Sequence, residues 1–265
     1  FLIFLELRAK LSIAIGRLSE GLAIISQIKS IVTEDMPEEY KIIPFTCESC
    51  FYFQEGKRDQ AELLIEKSLL ILSPLSERYQ YLLLEFAMNL SIQCRLNPIK
   101  EKVAKINIET NDLSIRSFSN LILYIDCLNR CDLDFATVLE SNLDSQAQCL
   151  KHYQKEISYA QNMSSLLKYS QGVINENELL LQISDKKSDY ILVYLELLKK
   201  RPNEALNLIQ KTKEECENYL IKDGVTAFLP ISVELSCGHL DVARSLLSRK
   251  VKIGDHHFFD HFFLA

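Results

Sequence analysis

One spacing recurs along this sequence and limits what it can fold into. In the stretch "EGKRDQAELLIEKSLLILSP" at 55–74, Gly56 is followed five residues later by Ala61 and nine residues later by Ile65. Glycine adopts the positive φ at which a helix commonly ends. A small residue on the next helix allows two helices to approach closely, because the side chains at the contact set their separation. The spacing therefore predicts a hairpin of two antiparallel helices.

The same spacing returns at intervals along the chain. Its first residues are Gly16, Gly56, Cys131, Lys200 and Gly238, and its small residues, in the same order, are Gly21, Ala61, Ala136, Ala205 and Ala243. The interval is 40 residues at the start of the chain and 38 near its end, and the longer intervals between are about two such periods. A period of this size is typical of stacked helical repeats. One hairpin cannot bury both of its faces, so hairpins of this kind stack on one another.

Helical periodicity and helix-end signals predict about fourteen helices. The expected pairs are 2–15 with 18–33, 42–55 with 58–73, 75–95 with 98–109, 112–130 with 132–143, 145–170 with 175–184, 188–199 with 202–221, and 225–237 with 239–250. Asn97-Pro98 and Asn111-Asp112 are predicted to begin helices, because Asn or Asp can cap free N–H groups and Pro loses no bond in the first turn. The predicted fold class is all-α.

Composition excludes several other classes. The 7 Gly and 6 Pro are too few for the turns of an all-β protein of 265 residues. A net charge of −6 argues against a nucleic-acid surface, which needs a concentrated basic face. No run approaches the roughly 20 apolar residues of a membrane span, and no signal peptide is evident. We therefore expect a cytoplasmic protein that binds neither nucleic acid nor membrane.

Catalytic and metal-binding motifs are sparse. Cys47 and Cys50 form a CxxC, but neither a second ligand pair nor a strand–helix redox context is visible, so buried, reduced thiols on a helix are expected. No phosphate-binding loop or nucleophile motif occurs. We expect no enzyme activity and no cofactor.

A cluster of possible ligands lies near the C-terminus. It consists of His256, His257, Asp260 and His261. On a helix, His257 and His261 would share one face, at a spacing that zinc can use. If these residues bind a metal, a metal-dependent enzyme is a third candidate function. The phenylalanines between them favour an amphipathic end segment instead. The sequence leaves metal binding here open.

The recurring spacing resembles the tetratricopeptide repeat family. "YFQEGKRDQAELLIEKSLLILSP" is the best match, with Tyr52, Gly56, Ala61, Ile65 and the terminating Pro74 at family positions. Other repeats match mainly in their second helices. The segment 223–255 also resembles one ankyrin repeat, through its Gly-His-Leu-Asp-Val link.

The resemblance implies an architecture and a function. It implies an α-solenoid of about seven stacked hairpins in a right-handed superhelix over residues 1–255, with 256–265 as a C-terminal segment. It also implies a non-catalytic scaffold that binds a protein or peptide in a concave groove lined by first helices. The groove candidates are Tyr52, Tyr81, Tyr124 and Tyr194, and a core position is the alternative for each of them.

Two further expectations concern partners. The basic clamp that some tetratricopeptide domains use for a C-terminal carboxylate is not evident, because the aligned first-helix positions hold Glu6, Lys10, Thr46 and Cys50. The chain starts at Phe1 without Met, so we expect a fragment. The alternative function is therefore a sensor or regulatory region of a larger signalling protein, resembling the helical repeat regions of large bacterial transcription regulators. Its partners would include other domains of the same chain.

Overall fold

Helices and their short connections form the whole described structure. The computed structural model describes residues 1–92, 95–184, 189–218 and 229–250, and no strand occurs within these ranges. The predicted all-α class is confirmed. The chain divides into two compact units, Phe1–Phe86 and Ala87–Ala265.

The first unit contains two helical hairpins and the start of a further helix. Its helices are α1 (Leu2–Ala14), α2 (Leu18–Ile31), α3 (Glu38–Lys41), α4 (Ile43–Gln54), α5 (Arg58–Ile71) and α6 (Glu77–Ile92), the last of which continues into the second unit. These bounds lie within a few residues of the predicted ones. The four-residue α3 was not predicted, because a single turn after Pro37 is too short to show helical periodicity.

The second unit continues the succession of helix pairs. Its helices are α7 (Lys100–Glu109), α8 (Leu113–Asn129), α9 (Leu133–Gln146), α10 (Gln154–Ser170), α11 (Glu176–Ser184), α12 (Asp189–Leu198), α13 (Pro202–Asn218), α14 (Leu229–Ser236) and α15 (Leu240–Lys250). The helix predicted over 145–170 is interrupted, because Leu150 has non-helical φ and ψ of −104° and 21° within a 3₁₀ segment, Ala147–Tyr153.

The two predicted helix starts behave differently. Asp112 caps α8, since its carboxylate accepts hydrogen bonds from the N–H groups of Ser114 and Ile115. Asn97 caps no helix: it lies in a 3₁₀ turn, and its side-chain oxygen accepts a hydrogen bond from the guanidinium of Arg130. The prediction for Asn97 was wrong, because Asn97 is itself the first residue of the 3₁₀ turn and its side-chain oxygen bonds to Arg130 rather than to a helix N–H.

Six hairpins share one turn, and we call its positive-φ residue the turn residue. The turn residues are Gly16, Gly56, Cys131, Gly172, Lys200 and Gly238. In the second hairpin, the N–H of Gly56 donates to the carbonyl of Phe53 at 3.1 Å, and the N–H of Lys57 donates to that of Tyr52 at 2.8 Å. These two bonds satisfy carbonyls that the helix end leaves free. Five of the six turn residues were predicted.

The small residue five positions after the turn is buried, as predicted. Ala61 and Ala205 are fully buried, and Ala136 and Ala243 are at most 2% exposed. Gly21 shows why size matters, because a Cβ on it would lie 2.6 Å from Cγ1 of Ile13 on the facing helix. Close approach of the two helices therefore depends on this position.

Successive hairpins also contact one another within each unit. In the first unit α4 packs against both α1 and α2. In the second unit α10 contacts α8 and α9, α12 contacts α10, and α14 contacts α12 and α13. A first helix thus packs on the hairpin before it. The right-handed superhelix stays a prediction.

Replacing Lys200 by Gly is expected to stabilise the protein by about 0.5–1 kcal/mol. Lys200 has a φ of 58°, a left-handed conformation that strains a residue with a Cβ and that glycine adopts freely. Urea unfolding of the Lys200→Gly variant measures the gain. As the control, Lys211→Gly within α13 should lose about 1 kcal/mol, because glycine weakens a helix interior. A loss at both positions would contradict the account of the turn.

Candidate partner-binding surface

On two first helices of the second unit, α10 and α12, the residues six and two positions before the turn residue line one crevice. Residues four apart lie on the same side of a helix. On α10 these positions hold Leu166 and Ser170, and on α12 they hold Tyr194 and Leu198. We call this surface, within the second unit, the first-helix surface.

An apolar crevice opens on the first-helix surface. Seven residues from α8, α10 and α12 line it: Leu128, Met163, Leu166, Leu167, Ser170, Tyr194 and Leu198. Leu198 is 39% exposed, whereas Tyr194 is 7% exposed. The lining is mostly hydrocarbon and contains no charged side chain, so the crevice suits an apolar side chain rather than a charged group.

A buried carboxylate organises the polar residues of the first unit. Glu6 on α1 accepts hydrogen bonds from Lys10 at 2.8 Å, from Arg78 at 2.5 Å and from the hydroxyl of Thr46 at 3.4 Å. Its side chain is 4% exposed. Burial lowers the pKa of Lys10, but neighbouring acidic groups, chiefly Glu6, outweigh this and raise its pKa above the ordinary value.

The ion pairs of Glu6 affect whether the first unit could bind a ligand carboxylate. Lys10 occupies one of the aligned positions, and Glu6 at another forms ion pairs with both Lys10 and Arg78. A ligand carboxylate would therefore have to displace Glu6 from two charge-assisted hydrogen bonds. The cluster stabilises the contact between α1, α4 and α6, and it offers a ligand little unpaired charge.

Tyr124 lies in the core of the second unit. It is 1% exposed and stands seven residues before its turn residue, Cys131. That position is buried in every hairpin with a turn residue that the structure describes; the other occupants are Ala9, Ser49, Ser165, Val193 and Ile231. Tyr124 therefore occupies a position that the hairpins reserve for packing.

The other three predicted groove tyrosines differ from Tyr124. Tyr194 is largely buried but lines the crevice with its side chain. Tyr52 and Tyr81 are half-buried in the first unit. The ring of Tyr52 meets that of Phe51 edge to face at 5.7 Å, and the ammonium of Lys57 lies 6.0 Å from its centre. A groove role for these residues stays a prediction.

The CxxC cysteines lie on α4, as expected for core thiols. Both are free, and Cys47 has no exposed surface. Burial raises the pKa of the Cys47 thiol from 9.0 to about 12, and it also raises the pKa of Cys50. A thiol that resists ionisation is a poor nucleophile and a poor metal ligand.

Alkylation of Cys47 is expected to require unfolding. An unfolded thiol ionises from about pH 9 upwards, whereas folded Cys47 stays protonated up to about pH 12. The free energy of unfolding should therefore fall as the pH rises from about 9 to about 12, because the Cys47 thiol ionises more readily in the unfolded chain. Mass spectrometry after iodoacetamide treatment at pH 8 should find Cys47 unmodified in buffer and modified in urea. Equal modification in both conditions would contradict its burial.

His256, His257, Asp260 and His261 all lie outside the described residues. Within the described ranges, no group of three or more His, Cys, Asp and Glu side chains is placed to hold a metal ion. Among the described helices, none has both the length and the apolar character needed to cross a membrane.

Comparison with known proteins gives no family for this chain. No family model matches it, and no curated protein or solved structure is significantly similar to it. The tetratricopeptide and ankyrin resemblances therefore stay predictions that rest on the residues quoted above.

Sequence reasoning missed most of the crevice. Leu166, Ser170 and Leu198 are ordinary residues on amphipathic helices, and the predicted groove residues were all tyrosines. The distance to the turn residue relates Leu166 to Tyr194, because both stand six residues before a turn, but the turn at Gly172 was not predicted. The same count would have placed Tyr124 in the core.

Proposed function

We propose that this chain is a non-catalytic scaffold that binds a protein or peptide partner on the first-helix surface. One observation carries the proposal: three consecutive first helices, α8, α10 and α12, together line an apolar crevice with a partly exposed leucine. An apolar side chain of the partner would enter the crevice. Burying one leucine-sized side chain contributes roughly 1.5–3 kcal/mol, so several neighbouring contacts are needed for stable binding.

A cytoplasmic location fits the same proposal. The cysteines whose side chains the structure describes are free thiols, among them Cys47, Cys127 and Cys237. Reduced thiols are usual in the cytosol, where glutathione and thioredoxin keep disulfides from forming.

A charge placed in the crevice should abolish partner binding. The wild-type chain, immobilised as bait in a lysate of its own organism, is compared with the Leu198→Glu variant, and retained proteins are quantified by mass spectrometry. We expect a partner whose recovery falls at least about tenfold with Leu198→Glu, because the carboxylate would have to lose water on binding.

Leu180 on α11 provides a matched control. It is 37% exposed, against 39% for Leu198, but it does not line the crevice. The Leu180→Glu variant should retain the partner at the wild-type level. If no partner depends on Leu198, or if both variants lose it equally, the proposal fails.

A second candidate function is a sensor or regulatory region of a larger signalling protein. The observation that favours it is an apolar side of α1, where Leu7 and Leu11 are more than half exposed. In that case the ligand of the repeat region includes other domains of the same polypeptide.

A further inference from the structure

An apolar stripe of α1 lies open to solvent in the first unit. Leu7 is 63% exposed and Leu11 is 62% exposed. Ile3, Phe4 and Ile15 are also more than half exposed. The spacing of these five residues places them along one side of the helix, and we call them the α1 stripe. A single exposed leucine is ordinary, whereas a continuous stripe marks a surface that pairs with another.

Leu7 of the α1 stripe occupies a position that is buried in the other hairpins with a turn residue. Leu7 stands nine residues before its turn residue, Gly16. The residues at the same distance from the other turn residues are Cys47, Ile122, Met163, Ile191 and Leu229, none of which is more than 5% exposed. Side chains nine residues before the turn residue are thus core residues in these five hairpins, whereas Leu7 on α1 is exposed.

The position of Leu11 follows the same rule. It stands five residues before the turn, and on α10, α12 and α14 this position holds Leu167, Leu195 and Val233, none more than 9% exposed. On α8 it holds Asp126, which is 3% exposed. On α4 it holds Phe51, whose exposure is intermediate. The position of Leu7 is therefore buried in all five other hairpins with a turn residue, and the position of Leu11 is buried in four of them.

In the later hairpins, these positions are covered by the hairpin that precedes each of them in the chain. In the first unit, Ile43 and Cys47 of α4 belong to one buried cluster with residues of α1 and with Ile24, Ile25 and Ile28 of α2. In the second unit, Asp126 accepts a hydrogen bond at 2.7 Å from Lys100, which begins the preceding helix α7. The second helix of the preceding hairpin thus supplies much of the cover.

We propose that the α1 stripe docks a further helical hairpin, supplied by the same polypeptide on the N-terminal side of Phe1. Its second helix would present an apolar row to the stripe, as α2 presents Ile24 and Ile28 to the cluster around α4. This inference does not depend on the partner-binding proposal, because the stripe is in the first unit and the crevice is in the second.

The test compares two lengths of the natural chain. The transcript is sequenced upstream of the Phe1 codon, and residues 1–265 are expressed with and without the preceding residues, about 40 by the interval from Gly16 to Gly56. Leu7→Glu with Leu11→Glu should leave residues 1–265 as stable as before, since both side chains are already in water. In the longer chain it should lower the folding equilibrium constant at least about tenfold. Urea unfolding followed by circular dichroism measures both effects.

A matched pair on α5 controls for the added charge. Leu63 and Leu70 are 52% and 86% exposed, so Leu63→Glu with Leu70→Glu should change neither length of chain. An upstream sequence without a helical hairpin overturns the proposal. So does an effect of Leu7→Glu with Leu11→Glu that is equal in the two lengths. A dimer of residues 1–265 that this variant dissociates would make a second copy the occupant.

Discussion

The Tyr124→Ala variant is expected to lose about 3–5 kcal/mol of unfolding free energy, as large aromatic truncations in protein cores do. The ring of Tyr124 is 1% exposed, and its position seven residues before the turn is buried in every hairpin with a described turn residue. The cavity left by the ring cannot collapse between close-packed helices. Urea unfolding at 25 °C measures the loss.

Two controls separate a core role of Tyr124 from a binding role. Tyr124→Phe keeps the ring and should lose far less than Tyr124→Ala. Tyr52→Ala removes a half-buried ring in the first unit and should also lose less, because part of its surface is already solvated. A Tyr124→Ala variant with wild-type stability and no partner binding would show that Tyr124 is a binding residue of the groove rather than a core residue.

Removing both cations from Glu6 is expected to cost about 3 kcal/mol, because it leaves a buried carboxylate without a charged partner. In the Lys10→Met, Arg78→Met double variant, the hydroxyl of Thr46 remains the only one of the three observed donors to Glu6. The two cations are 34% and 38% exposed while Glu6 is 4% exposed, so the carboxylate bears most of the loss. Thermal or urea unfolding measures it.

Restoring an apolar environment should recover most of that stability. In the triple variant with Glu6→Leu added, no buried charge is left unpaired, and replacing a buried ion pair by apolar residues is often neutral or favourable. The single variant Glu6→Gln keeps the shape of the side chain and should fall between the two. A double variant as stable as the wild type would show that the cluster contributes nothing measurable.

Local patterns in the sequence were enough to predict most of the helices and five of the six turn residues. The turn at Gly56, the buried Ala61 and the cap at Asp112 each depend on residues within a few positions of one another. Helix periodicity likewise needs only a window of one helix. These features could be read from one sequence, because the interactions that produce them are short-range.

Long-range contacts account for what the sequence could not predict. Glu6 and Arg78 meet across 72 residues, and no local pattern pairs them. Asn97 looked like a cap, but Arg130, 33 residues away, takes its side-chain oxygen. The helix break at Leu150 lies in a segment without Gly or Pro, and the structure gives no single physical cause for it.

The candidate site depends on both local patterns and long-range contacts. Tyr194 was correctly placed on a first helix, and it lines the crevice. Its neighbours across the crevice, Met163 and Leu128, come from two other helices, so their convergence depends on how hairpins pack on one another. The turn residues Gly172 and Lys200 provide the register that relates α10 to α12, and of these two the sequence predicted Lys200 alone.

Hydrogen exchange of the protein with and without its captured partner tests the central claim most directly. If the partner binds on the first-helix surface, amides in the peptides covering α10 and α12 should exchange more slowly in the complex, most of all around Leu166 and Leu198. Peptides of α11 and α13, the corresponding second helices, should change little. Protection confined to α11 and α13, with α10 and α12 unchanged, would contradict the proposed surface.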